Sequence, residues 1–183
     1  MIMARSIFIT GGAASGKSRW AATYFSACDY VLYLKAGGEV DRDTMNRIEY
    51  GNRQNGVEWD IVTGADSDPA SLVTDHKFVI FDSLSSYTSA VMKQMCPEGE
   101  VPDEEGRKAI EHRIIDDMNA LRETVENNEG SMIIITLETG FSVTPENRSQ
   151  AMFREILGNV NQRIANSSDE VYFSASGIQF KIK

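Results

Sequence analysis

Apolar positions along the chain fall into short unbroken runs, separated by stretches that repeat every three to four residues. The runs are Ser6-Ile7-Phe8-Ile9-Thr10, Asp29-Tyr30-Val31-Leu32-Tyr33-Leu34, Lys77-Phe78-Val79-Ile80-Phe81-Asp82 and Ser131-Met132-Ile133-Ile134-Ile135-Thr136-Leu137. Strands this apolar belong to sheets covered on both faces, which predicts four central parallel strands. Residues 58–62 alternate enough for a further strand. Helices are predicted over residues 17–27, 41–54 (from an Asp41 cap), 83–95 and 104–128. A fifth starts at Thr144-Pro145-Glu146, with a threonine cap, proline at the first position and an acid in the first turn. Asp68-Pro69 opens a short additional helix. In the long helix Ile110, Ile114, Met118, Leu121 and Val125 mark the face that packs on the sheet, and the charged remainder is a solvated face. Met152, Phe153, Ile156, Leu157, Val160 and Ile164 give the last helix its stripe. Residues 96–103, with two prolines, read as a loop. Residues 169–174 and 178–182 form two short strands around Ser176-Gly177, a hairpin at the sheet edge.

Strands alternating with helices predict an α/β fold with a mostly parallel, doubly wound sheet. Ligands of such sheets gather at the carboxyl ends of the strands. That rim would carry Lys17, Ser18, Asp82 and Glu138, although they are far apart in the chain.

The first strand runs into Gly11-Gly12-Ala13-Ala14-Ser15-Gly16-Lys17-Ser18, which reads G-x-x-x-x-G-K-S, a phosphate-binding loop. Small residues let successive backbone N–H groups curl around a polyphosphate, and the following helix turns its positive end toward the same anion. Lys17 would reach the outer phosphates, and Ser18 would place its hydroxyl on magnesium. A plain Gly/Ser turn would satisfy the bare pattern. The apolar strand before it and the helical pattern after it favour a nucleotide site.

Asp82 ends an apolar strand, where an aspartate either holds the metal through water or caps the next helix. Beside a phosphate loop the metal role is favoured. Arg148 also carries two readings: an exposed arginine paired with Glu146 or solvated, or a phosphate or substrate clamp on the rim.

At 183 residues the chain is long enough for one domain, 1–183, with a real core. A net charge of −9 without a basic block argues against a nucleic-acid partner. Cys28 and Cys96 form no C-x-x-C pair, no signal peptide is evident, and no apolar run approaches ~18 residues. The expectation is a cytoplasmic protein with reduced thiols and no membrane association.

GGAASGKSR, RIE near position 48, Trp59, PENR at 145–148, NVNQRIANSSDEVYF and SGIQFKIK together resemble the adenosylcobinamide kinase / adenosylcobinamide-phosphate guanylyltransferase family. The likeness covers nearly the whole chain, and its C-terminal pieces are the more specific ones. It implies a P-loop, RecA-like sheet with a short antiparallel C-terminal strand, and assembly as a trimer. It also implies two reactions in making vitamin B12. A nucleoside triphosphate, ATP or GTP, first phosphorylates a hydroxyl of a corrinoid; GMP is then transferred to that phosphate through a guanylylated histidine.

The departure from the family lies in Arg47-Ile48-Glu49-Tyr50-Gly51. Aligning Arg47 and Trp59 puts Tyr50 on the position of the nucleophilic histidine and Gly51 on that of a second histidine. A tyrosine, with a pKa of about 10, is mostly protonated at neutral pH and gives a less labile phosphodiester. The only histidines are His76 and His112. His76 starts the strand that ends in Asp82, roughly 20 Å from the rim, and His112 faces away from the apolar stripe of its helix. Guanylyl transfer is therefore expected to be weak or absent. Kinase chemistry asks for positioning and charge stabilisation, which Lys17, Ser18 and Asp82 can supply, with Glu138 orienting the acceptor hydroxyl. The sequence thus leaves three readings: a corrinoid kinase using Mg2+ and ATP or GTP; a nucleotide-binding module with reduced catalysis and a regulatory or assembly role; or, the weakest of them, a full bifunctional enzyme using Tyr50 or a direct GMP transfer.

Overall fold

A computed structural model describes residues 5–96, 100–141, 143 and 145–183. Its strands are β1 (Ser6–Gly11), β2 (Val31–Lys35), β3 (Trp59–Thr63), β4 (Phe78–Asp82), β5 (Ser131–Ile135), β6 (Glu170–Ala175) and β7 (Ile178–Lys181). They form one sheet in the order β3-β2-β4-β5-β1-β6-β7, parallel except for β7, which runs antiparallel to β6. The four apolar runs became β2, β4, β5 and β1, side by side in the middle, where both faces need cover. The more polar β3 and the β6–β7 hairpin take the flanks.

Along β1 the side chains alternate between two cores. Ile7 and Ile9 join Ala21, Phe25 and Ile48 beneath α1 (Lys17–Tyr24) and α2 (Arg42–Asn55). Phe8 joins Ile114, Leu121 and Leu157 beneath α3 (Leu84–Met95), α4 (Glu104–Asn127) and α5 (Arg148–Ser167). All five predicted stripe positions of α4 are buried, each worth about 1.5–3 kcal/mol of apolar transfer. Asp41 and Asp103 cap α2 and α4 by accepting backbone N–H bonds from Thr44 and Gly106. The short helix after Pro69 is one turn of 3-10 helix, Ala70–Leu72.

Four boundaries differ from expectation by two residues or more; one is the end of β5 at Ile135, short of the expected Leu137. α1 stops at Tyr24. β2 starts only at Val31, because Asp29 Oδ1 accepts the N–H groups of Tyr30 and Glu58 and turns the chain ahead of the strand. α5 starts at Arg148, with Pro145 and Glu146 before it. Its cap is Asn147, whose Oδ1 accepts from the N–H groups of both Ser149 and Gln150, and asparagine outranks threonine as a cap. Thr144, the predicted cap, and residues 97–99 of the predicted loop lie outside the described residues.

Candidate active site

The phosphate loop is held between the end of β1 and the C-terminal hairpin. Gly11 adopts φ 150°, and a Cβ there would run into the Ser174 carbonyl oxygen of β6, so no other residue fits. Gly16 takes a left-handed conformation, φ 94°, just before α1. The hairpin grips the loop at one atom: the Ser15 carbonyl accepts from Ser174 Oγ at 2.7 Å and from the Gly177 N–H at 3.0 Å.

Lys17 is buried and folded back on its own loop. Its Nζ donates to the carbonyls of Gly11 (2.9 Å) and Gly12 (2.6 Å). Burial pushes its pKa below the ordinary lysine value, and the charge of Asp82 acts the other way. The ammonium thus spends its donors on carbonyls that polyphosphate oxygens can replace. A cleft of about 570 Å³ opens over the loop. Asp41, Asp43 and Thr44 from the start of α2 line it, with Arg19 and the Ser176-Gly177 turn.

Asp82 is 4% exposed at the end of β4. It does not cap α3; Ser83 does, accepting the Ser86 N–H. Tyr33 OH donates to Asp82 Oδ2, and Lys35 Nζ stands 3.5 Å from Oδ1. Burial, then the charge of Asp82, pushes the Tyr33 phenol far above its usual pKa, while the Ser18 hydroxyl opposes that shift. The Tyr33 phenol thus donates to Asp82 and feels the Ser18 hydroxyl as well. A hydroxyl and a carboxylate so close form a donor set that suits magnesium, which takes few protein oxygens and completes its octahedron with waters and phosphates. No denser cluster of His, Cys, Asp and Glu is found among the described residues.

Because β5 lies between β4 and β1, Glu138 follows it on the rim between Asp82 and the loop. Its backbone N–H donates to the Gly11 carbonyl at 3.1 Å, the same oxygen that holds Lys17 Nζ. Its side-chain Oε1 accepts the Gly140 N–H at 2.8 Å. Arg148 is exposed at the first position of α5 and lines neither the loop cleft nor the cavity beside Glu138. Arg154 lines that cavity instead, and its Nη2 donates to the Gly140 carbonyl at 2.9 Å.

With this arrangement in view, the comparisons are specific. The sequence pattern of the family described as cobinamide kinase / cobinamide phosphate guanyltransferase matches residues 7–182. The chain belongs to that family. It is 29% identical, over 97% of its length and 99% of the relative's, to the bifunctional adenosylcobalamin biosynthesis protein CobU of Salmonella typhimurium. The CobU protein of Escherichia coli is 30% identical over the same shares. Solved structures agree on the fold. A type III secretion system ATPase superposes with a TM-score of 0.60 at 14% identity, over 93% of this chain and 51% of its own. The ATP synthase subunit NeqB of Nanoarcheaum equitans gives 0.56 at 14% identity, over 93% and 45%. The P-loop fold expected from the sequence is thus the fold found.

Tyr50, which the sequence reading expects on the position of the family's nucleophile, is 62% exposed on α2, beyond Thr44, which lines the cleft. His76 is buried, bonded to Asp60 Oδ2 at 2.9 Å and stacked on Tyr30; His112 is exposed on α4. Neither stands among the loop residues. Tyr33, Lys35, Thr10 and Arg154 were not singled out by sequence. The sequence shows only that a lysine closes the apolar run of β2; the β2–β4 register is what sets it opposite Asp82. No helix among the described residues is long and apolar enough to cross a membrane.

Proposed function

We propose that this chain transfers the γ-phosphoryl group of ATP or GTP, with magnesium, to a hydroxyl of a cobinamide-type corrinoid, as a cytoplasmic kinase of cobalamin biosynthesis. The observation that carries this reading is the shared Gly11 carbonyl, which holds Lys17 Nζ on one side and the Glu138 backbone on the other. Donor phosphates and an acceptor hydroxyl would then meet across one peptide. On nucleotide binding, Lys17 leaves the Gly11 and Gly12 carbonyls for the outer phosphates, and the loop N–H groups take the remaining oxygens. Ser18 and Asp82 would hold a magnesium ion, whose positive charge would offset the charge that develops as the phosphoryl group is transferred. Glu138 orients the acceptor hydroxyl and takes its proton as the new O–P bond forms and the bridging P–O bond of the nucleotide breaks.

The guanylyl-transfer half is weak or absent in this reading. A phenol with most of its surface in water lacks both the leaving ability of imidazole and the enclosure a covalent step needs. Exposed Ile178 and Phe180 on edge strand β7 support a homo-oligomer, a trimer by kinship.

Incubation with adenosylcobinamide and GTP labelled in either the γ or the α position tests both halves. The γ-label is expected on the corrinoid, and no α-label should stay on the protein. Lys17→Ala should abolish the transfer. Transfer by Lys17→Ala at the parent rate, or nucleotide binding with no labelled corrinoid, would overturn the kinase assignment.

A further inference from the structure

A small enclosed cavity of about 230 Å³ lies at the far end of the sheet from the phosphate loop. Ile7 and Phe78 line it from the amino-terminal ends of β1 and β4. Tyr24, at the end of α1, and Phe25 and Cys28 beyond it close the other side. Burial pushes the Cys28 thiol above its ordinary pKa, so at neutral pH it stays uncharged and adds to the apolar wall. Arg5, just ahead of β1, is the one charged side chain that lines the cavity.

The charges around Arg5 do not balance. Its Nη1 donates to Glu170 Oε1 at 2.8 Å, its one side-chain hydrogen bond among the described residues. Lys181 Nζ stands 3.1 Å from the other oxygen of the same carboxylate, which also accepts the Tyr172 hydroxyl at 2.7 Å. Two cations thus share one anion, and one positive charge is left over at the cavity. A guanidinium holds its charge at any ordinary pH, and Nε and Nη2 keep donors for a ligand.

This combination selects an occupant by its chemistry. A cation would be repelled, and a neutral hydrocarbon would gain burial but leave the spare charge to water. A phosphate would press strongly hydrated oxygens against Ile7, Phe25 and Phe78. A monocarboxylate meets both demands, because its two coplanar oxygens match an edge of the guanidinium while an apolar body fills the chamber. A cavity of about 150 Å³ takes a benzene ring, so one of about 230 Å³ has room for a ring and its carboxylate.

We propose that this cavity is a second ligand site, for a small aromatic or branched-aliphatic monocarboxylate. The carboxylate lies on Arg5, and the body lies against Ile7, Phe25 and Phe78. The site is separate from the phosphate loop, which occupies the opposite, carboxyl-terminal rim of the same strands, and it does not depend on the corrinoid reading.

The probe is sodium benzoate, titrated into the full chain to about ten millimolar and followed by 15N-resolved NMR, as suits so small a ligand. Saturable shifts are expected at the amides of Ile7, Cys28 and Phe78, unchanged by a saturating non-hydrolysable ATP analogue. Benzyl alcohol, the same ring without the charge, should bind at least several-fold more weakly. Arg5→Met keeps the stem and deletes the charge, and should weaken benzoate about tenfold. Two variants outside the cavity test the charge surplus itself. Lys181 is half-exposed, and Lys181→Met leaves Arg5 fully compensated by Glu170, so benzoate should weaken several-fold. Glu170→Gln releases Arg5 and should tighten benzoate by a similar factor. No saturable shift, shifts centred on residues 11–18, or displacement by the ATP analogue would overturn the site. Equal affinity for benzyl alcohol, a parent-like Kd in Arg5→Met, or a parent-like Kd in Lys181→Met would overturn its assignment to a carboxylate.

Discussion

The Tyr33 hydroxyl donates to Asp82 Oδ2 at 2.5 Å from a ring with no exposed surface. A bond to a charged acceptor contributes about 1.5–3 kcal/mol, and this one also fixes which way the carboxylate faces. Tyr33→Phe keeps the ring packing and deletes only the donor. Urea unfolding should show a loss of about 1.5–3 kcal/mol. The magnesium concentration for half-maximal turnover should rise several-fold, with metal-free nucleotide affinity unchanged. An unaltered magnesium requirement would mean that Asp82 does not hold the ion.

Lys35 sits opposite Asp82 in the β2–β4 register, with its ammonium 3.5 Å from Oδ1. A cation so close competes with a divalent ion for the same carboxylate, by a few kcal/mol before solvent screening. Lys35→Met retains the length of the side chain and removes the charge. In a titration of the nucleotide complex, magnesium should then bind several-fold more tightly. Equal or weaker binding would show that Lys35 leaves Asp82 when the nucleotide arrives.

The parts of this molecule that could be read in advance were those written in contiguous residues. Ile7 to Ile9 and Met132 to Ile135 announce buried strands by composition alone, and Gly11 to Ser18 carries its chemistry in its spacing. Lys35 and Tyr33 could not be assigned to Asp82, because nothing local says that β2 lies beside β4. Thr10 and Arg154 were invisible for another reason: Thr10 Oγ1 and Arg154 Nη1 are buried without a partner among the described residues, and a missing hydrogen bond is a property of the packed interior. Arg148 carried a clamp reading because it falls in the first turn of its helix on the rim, and the arginine that lines the cavity beside Glu138 is Arg154, farther along α5. The helix start failed for a local reason, since Asn147 competes with Thr144 for the cap and makes two bonds there.

Burial lowers the pKa of Lys17 from its ordinary 10.5, and that has two consequences with definite sign. Between the lowered value and 10.5, the unfolded chain binds a proton that the folded chain does not. Stability contributed by this group therefore rises with pH across that window, and Lys17→Met should remove the rise in urea titrations. Polyphosphate oxygens favour the charged ammonium, so nucleotide binding should take up a proton in the same window. Calorimetry in buffers of different ionisation enthalpy should show that uptake, and affinity should fall as pH rises through it. Heats independent of buffer would mean that Lys17 stays charged without the nucleotide.

The Ser15 carbonyl, gripped by both Ser174 Oγ and the Gly177 N–H, makes the C-terminal hairpin part of the nucleotide site. The loop can cradle phosphate only while its successive N–H groups point inward, and the hairpin fixes the peptide between Ser15 and Gly16. Ser174→Ala removes one bond from a residue 1% exposed, at a cost of about 1 kcal/mol. Nucleotide affinity should fall about fivefold, the equivalent of that energy. Gly177 stands at φ 81°, and a Cβ there would meet Arg19 Nη2 at 3.3 Å. Gly177→Val puts a β-branched residue in a left-handed turn, so the turn must move and the second bond goes with it. Its nucleotide Kd, by fluorescence titration, should rise at least tenfold, while circular dichroism shows the sheet intact. Parent-like Kd values in both variants would reduce the hairpin to an edge of the sheet with no part in binding.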